Sequence, residues 1–223
     1  VCVSRDTRPA EAMAVVTVLG ASILACSTFL WHAGTYPDFL VSLRHVSFNL
    51  VSIATDCGFA SQDYDRWPII VPLWMLLLSC IVASSGSTGG GIKMVRTLVL
   101  VRQARLDLRR LVHPRLVAPI RIGEMVVGQE IATAVLGFIG LYLATMLGLS
   151  FVLMASGLDF VSSFSAVVAC MNNMGPGLNV VGPAANYQAL SDFQTWICTF
   201  AMFIGRLEVL TVVVLFTPSF WTA

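Results

Sequence analysis

Three long apolar runs organise the chain: residues 10–31 (AEAMAVVTVLGASILACSTFLW), 128–156 (GQEIATAVLGFIGLYLATMLGLSFVLMAS) and 194–217 (QTWICTFAMFIGRLEVLTVVVLFT). Each is long enough for a helix across the hydrocarbon core of a bilayer, which takes about 20 apolar residues. A fourth run, 67–101, reaches that length only across SSGSTGGGIK (84–93), where eight small residues in succession interrupt the hydrophobic pattern. Between the long runs lie two shorter, mildly amphipathic stretches, 37–54 and 159–171, too short or too polar to span. Pro37 with Asp38, and Asp159, are helix-start signals at their beginnings. Each stretch ends in a glycine-containing turn, TDCGF (55–59) and NNMGPGLN (172–179).

The order is long helix, short helix, glycine turn, long helix, and then the same again, with Gly58 and Gly175 at matching places. Residue identity between the halves is weak, so the repeat rests on the order of elements. The pattern predicts an all-α membrane protein of two helix–re-entrant loop–helix units, one over residues 1–120, with an interrupted second helix and a basic connector, and one over 121–223.

Composition agrees. Of 223 residues, 57% are hydrophobic and 11% charged, against about 25% charged in soluble domains. A formal net charge of +1 suggests no nucleic acid or acidic partner. Six cysteines (Cys2, Cys26, Cys57, Cys80, Cys170, Cys198) form no CxxC pair and are expected as buried thiols. The chain opens on Val1 with no signal-peptide pattern, which reads as a fragment of a longer protein. Eight of the thirteen basic residues fall between the second and third spans: Lys93, Arg96, Arg102, Arg105, Arg109, Arg110, Arg115 and Arg121. The positive-inside rule makes that connection cytoplasmic. The short helices and their glycine turns then enter from the other face, where Asp38, Asp63, Asp65, Asp159 and Asp192 outnumber Arg44 and Arg66.

Irregular backbone at membrane depth persists only when buried in protein or lining water. A short helix ending at mid-membrane aims its C-terminal dipole, about half a negative charge, at the centre. The turn after it can offer backbone carbonyls to a dehydrated cation, and glycine permits the backbone angles this needs. Ordinary surface loops would carry the same residues, but recurrence on one side of the membrane is unexplained by them.

IATDCGF, SSGSTGGGIK, ACMNNMGPGLN and FIGRLEVLTVVVLFTPSFW, in this order, resemble the potassium-translocating subunit of the Trk/Ktr/HKT superfamily, nearest to its Trk branch. The resemblance implies four consecutive helix–pore-loop–helix units forming a pseudo-four-fold pore, of which this chain holds the third and fourth. It places the potassium filter on Thr55, Asp56, Cys57 and Gly58 and on Asn172, Asn173, Met174 and Gly175, with carbonyls of Asp56, Cys57, Asn173 and Met174 as the foremost ligands. Neither segment has the TVGYG of tetrameric potassium channels, so sodium or rubidium should be partly accepted. Whether the Asp56 carboxylate faces the ion or caps local amides stays open. The gate falls on Gly86, Ser87, Thr88, Gly89, Gly90, Gly91 and Lys93, with Arg206 as an electrostatic barrier beneath the filter. The other reading of Arg206 is an ion pair with an acid on another helix, or snorkelling. Glu208, two positions on, projects from a different face.

The resemblance further implies potassium as the transported ion with no organic cofactor, a bacterial inner-membrane location, a homodimer of full-length subunits and a cytosolic nucleotide-binding regulatory ring. That ring would dock on the basic run 101–115, which also suits anionic lipid. Other classes fare worse. GSTGGGIK fails the phosphate-loop register, since Ile92 stands where lysine belongs. An intramembrane serine hydrolase at Ser84, Ser85 or Ser87 finds only His32, His45 and His113 as bases, none at matching depth. No enzyme is expected. A secondary carrier with broken helices, moving another substrate by alternating access, is the alternative. Entry of both loops from one side favours a pore.

Overall fold

The structure is a computed structural model, and it describes residues 8–84, 89–113, 120–122 and 125–207. Among the described residues seven α-helices carry it: α1 Arg8–His32, α2 Phe39–Ala54, α3 Ile70–Val82, α4 Met94–Val112, α5 Gln129–Ala155, α6 Phe160–Asn172 and α7 Asp192–Leu207. A two-stranded antiparallel hairpin, β1 Ile120–Ile122 with β2 Met125–Val127, joins α4 to α5. The all-α architecture predicted from the hydrophobic pattern is the one observed.

Among the described residues, two helices, α1 and α5, are long and apolar enough to cross a membrane. At a rise of about 1.5 Å per residue, the 13-residue α3 reaches only about 20 Å, short of the ~30 Å hydrocarbon thickness. Its end at Val82, followed by extended Ala83, is where the apolar pattern gives way to serine and glycine. The described part of α7 stops at Leu207, so the rest of the predicted span, 208–217, lies outside the described residues.

Each half packs as a bundle around its short helix. α2 lies against α1 and α3, and α6 against α5 and α7. Leu30, Val46, Leu50, Ile53 and Met75 are buried in the first; Leu153, Val167 and Met171 in the second. Buried polar side chains fit between helices by bonding backbone: the Ser42 hydroxyl donates to the Ser27 carbonyl, tying α2 to α1. Large apolar residues such as Met13, Leu40, Phe151 and Trp196 remain exposed, a surface made for lipid or further protein.

The basic, partly amphipathic run 101–115 is helical over residues 101–112, where α4 continues from the Ser/Gly segment to Val112. The hairpin at 120–127 was not anticipated; strands of three residues are too short to show a period of two.

Candidate functional site

The two short helices end identically. Asp56 (φ 58°) and Asn173 (φ 59°) each turn left-handed just past the helix. The Asp56 N–H donates to the Ile53 carbonyl at 3.2 Å and the Cys57 N–H to the Ser52 carbonyl at 2.9 Å. In the other half Asn173 donates to Cys170 at 3.1 Å and Met174 to Ala169 at 2.9 Å. These paired bonds are the Schellman closure of a helix C-terminus. Two residues on, Gly58 (φ 76°) and Gly175 (φ 106°) are again in the region that favours glycine. A Cβ on Gly58 would run into the Met174 carbonyl, so the two turns meet there backbone to backbone.

Thr55 and Cys57 are exposed and line an open cavity of about 930 Å³ with Val51, Phe59 and Ser61. Cys57 thereby departs from the expected buried thiols, whereas Cys26, Cys170 and Cys198 conform; Cys2 lies outside the described residues. The Met174 side chain is buried and its carbonyl faces Gly58. The Gly175 carbonyl accepts from the Tyr187 hydroxyl at 2.8 Å.

The Ser/Gly segment folds back onto both halves. Of the residues expected to form the gate, Gly86, Ser87 and Thr88 lie outside the described residues; Gly89, Gly90, Gly91 and Lys93 are described. The Gly90 N–H donates to the Asn172 carbonyl at 3.0 Å, Ile92 to Cys80 at 2.8 Å, and Met94 to Ala83 at 2.9 Å. The last two satisfy carbonyls that the end of α3 leaves without helical partners. The fit is tight: a Cβ at Gly89 would stand 2.5 Å from Asp56 Oδ2, and one at Gly91 2.8 Å from the Cys80 carbonyl oxygen. One at Gly90 would overlap the Met171 carbonyl, and so would one at Gly205 on α7. The end of α6 is thus held between the Ser/Gly segment and α7, immediately before Arg206, whose side chain is exposed. Lys93 starts α4 with φ 70°. Glu208 lies outside the described residues.

Sequence reasoning missed the side chains that hold this arrangement. Asn172 is fully buried. Its Oδ1 accepts from the Tyr142 hydroxyl at 2.7 Å, and its Nδ2 donates to Ser79 Oγ at 2.8 Å and Cys80 Sγ at 3.3 Å. One side chain so joins α3, α5 and α6, on the residue whose carbonyl accepts from Gly90. These partners lie 30 to 93 positions apart in the chain, and no local motif announces them.

At the start of α6, Asp159 caps the helix through the Ser162 N–H at 3.1 Å and accepts from Asn179 Nδ2 at 3.2 Å. Partial burial pushes its carboxyl up, but these hydrogen bonds outweigh that and hold it below the usual carboxylate range. Asp65 reaches across from the first half to the Asn179 N–H at 3.1 Å, tying the loop before α3 to the one after α6. His45 stacks on Tyr36 and His32 tilts against Trp31, both as aromatic packing.

A family model described as a cation transport protein, TrkH, matches residues 36–222. The Trk system potassium uptake protein TrkH of Escherichia coli (strain K12) is 39% identical over 199 residues, covering 89% of this chain and 41% of that protein. TrkG of the same organism is 37% identical over 201 residues, covering 89% and 40%. TrkH of Halomonas elongata is 39% identical over 211 residues, covering 95% and 43%. Among solved structures, the potassium transporter TrkH from Vibrio parahaemolyticus superposes with a TM-score of 0.87 at 36% identity, over 95% of this chain and 45% of that one. The chain therefore spans less than half the length of these relatives.

Proposed function

The chain belongs to the TrkH family of cation transport proteins, and from that premise we propose that it forms the third and fourth units of a pseudo-four-fold potassium uptake pore in a bacterial inner membrane. The units are residues 1–120 and 121–223. The family is one of membrane transporters rather than enzymes, and its relatives are named potassium uptake proteins.

The observation that carries this reading is the pair of matching turns. Positions 56 and 173, and 58 and 175, share left-handed backbone in both halves, and each turn follows a short helix whose C-terminal dipole favours a cation. In the complete ring, carbonyls of Asp56, Cys57, Asn173 and Met174 strip water from the ion, and Thr55, Gly58, Asn172 and Gly175 shape the backbone. An inside-negative potential then draws potassium inward with about 2.3 kcal/mol per unit charge per 100 mV. Residues 86–91 form the gate beneath the filter. Its closed position is supported by the bond from Gly90 to Asn172, and Lys93 and Arg206 add positive charge near the path. A homodimer of full-length subunits and a cytosolic nucleotide-binding ring acting on α4 complete the system.

The test is rubidium uptake by the full-length parent in cells lacking other potassium systems, beside the same protein carrying Gly58→Ser. The parent should take up rubidium, and the variant should lose preference for potassium over sodium. Absence of uptake by a well-expressed parent would sink the proposal, and unchanged preference would remove Gly58 from the filter.

A further inference from the structure

Asp56 is the least economical residue in the first turn. Glycine is the usual occupant of the left-handed position that closes a helix, because a Cβ there costs roughly 1–2 kcal/mol. This chain keeps aspartate in one half and asparagine in the other. Neither side chain caps the turn it belongs to: the N–H groups of Asp56, Cys57 and Gly58 all go to backbone carbonyls of α2. Both carboxylate oxygens of Asp56 are buried and accept no hydrogen bond, and Asn173 Nδ2 is buried without an acceptor. The alternative that Asp56 caps local amides is therefore excluded.

A buried carboxylate without donors needs a proton or a cation, because leaving it ionised and alone is prohibitively costly. Gly89 lies against Oδ2, and its neighbour Gly90 bonds the Asn172 carbonyl beside Asn173. Gly89 so lies against the orphaned Asp56 carboxylate, and Gly90 lies against the backbone of Asn172, next in the chain to Asn173, whose amide nitrogen is also without a partner. The Asn173 amide can present its oxygen by a half-turn of the side chain. Resting on the filter reading above, the pore itself delivers the ion.

We propose that the Asp56 carboxylate, with the Asn173 side chain at the matching place on the other turn, forms a side-chain site for a monovalent cation of the potassium class directly beneath the carbonyl filter, covered by Gly89. One carboxylate neutralises a single positive charge, so the site suits a monovalent ion. When the segment is docked the ion is held; when Gly89 withdraws, water reaches the carboxylate and the ion leaves towards the cytoplasm. The site is distinct from the filter because a side-chain charge, not a carbonyl dipole, supplies it.

The experiment uses the full-length parent crystallised with rubidium, located by its anomalous scattering, and rubidium uptake by the parent and by Asp56→Asn. The expected result is a rubidium peak in contact with the Asp56 carboxylate in addition to peaks along the filter carbonyls. The variant should lose the first peak, keep the others, and need about tenfold more rubidium for half-maximal uptake, a change worth ~1.4 kcal/mol. Rubidium in the filter with none at Asp56 overturns the site while leaving the filter reading intact, and so does wild-type half-saturation in the variant. Rubidium absent from the filter carbonyls as well, in a protein that does not take it up, overturns both.

Discussion

Replacing Gly90 with alanine tests the gate where its geometry is tightest. The added Cβ would overlap the Met171 carbonyl and stand 2.8 Å from Asn172 Cα and 3.0 Å from its carbonyl carbon. All three are backbone atoms at the end of α6, and Gly205 of α7 already packs against the same Met171 carbonyl, which limits how far α6 can shift. The Ser/Gly segment must therefore lift away. Forcing a methyl into such a packed place costs about 1–3 kcal/mol, and the displaced bond from Gly90 to Asn172 is worth about 0.5–1.5 kcal/mol. Together they disfavour the docked segment by ~2–4 kcal/mol and leave an undocked segment untouched. At tenfold per 1.4 kcal/mol, the closed-to-open ratio falls by roughly 30- to 700-fold. The assay is rubidium flux into vesicles containing the full-length parent without cytosolic partners. Gly148→Ala on α5, whose Cβ would meet nothing within 4 Å, serves as the control and should leave flux unchanged. A folded Gly90→Ala protein, with the thermal midpoint of the control, whose flux equals that of the parent would refute the gate.

Two further outcomes follow from the side chains around the site. Tyr142→Phe removes the hydroxyl that donates to Asn172 Oδ1 and leaves a buried acceptor with one partner fewer, which should cost about 1–3 kcal/mol and lower the thermal midpoint of the full-length protein; an unchanged midpoint would show that the bond contributes nothing net. Asp159 sits below its usual range through hydrogen bonds at the start of α6, so its contribution to stability is present above the ordinary carboxylate pKa of about 3.9 and is lost as pH falls through the depressed folded value. Asp159→Asn, which caps without charge, should therefore flatten the acid limb of a plot of thermal midpoint against pH, and a limb of undiminished steepness would assign it to other carboxylates.

Much of the fold was legible because helix-forming hydrophobic runs carry their own boundaries. The expected 10–31, 37–54, 128–156 and 159–171 fall within two residues of α1, α2, α5 and α6, since Asp38, Asp159 and the turn glycines punctuate them. The boundary between α4 and the basic connector was not legible, because hydropathy ends near residue 101 while the helix, held by backbone bonds, runs to Val112. The site divided along the same line. Gly58 and Gly175 announce themselves by spacing, as does the Ser/Gly segment, but what the segment bonds to does not. Asn172 was named as part of the filter for its place in the motif, yet its side chain is a scaffold linking Tyr142, Ser79 and Cys80, a role set entirely by long-range packing.

That division explains why a run of eight small residues is tolerable in an apolar stretch. Backbone amides there would be costly in lipid, but Gly90 within the run, and Ile92 and Met94 just after it, each find a carbonyl at a helix end: Asn172 on α6, and Cys80 and Ala83 at the end of α3. The unsatisfied termini of two short helices and the exposed amides of a glycine segment are complementary defects, and each removes the other. Because the bonds to α3 lie within one unit and the bond to α6 crosses to the next, the segment can release the second while keeping the first. Glycine is required at the crossing point, where Met171 and Asn172 leave no room for a Cβ. A docked segment that can leave one partner without losing both is what a gate beneath a filter requires.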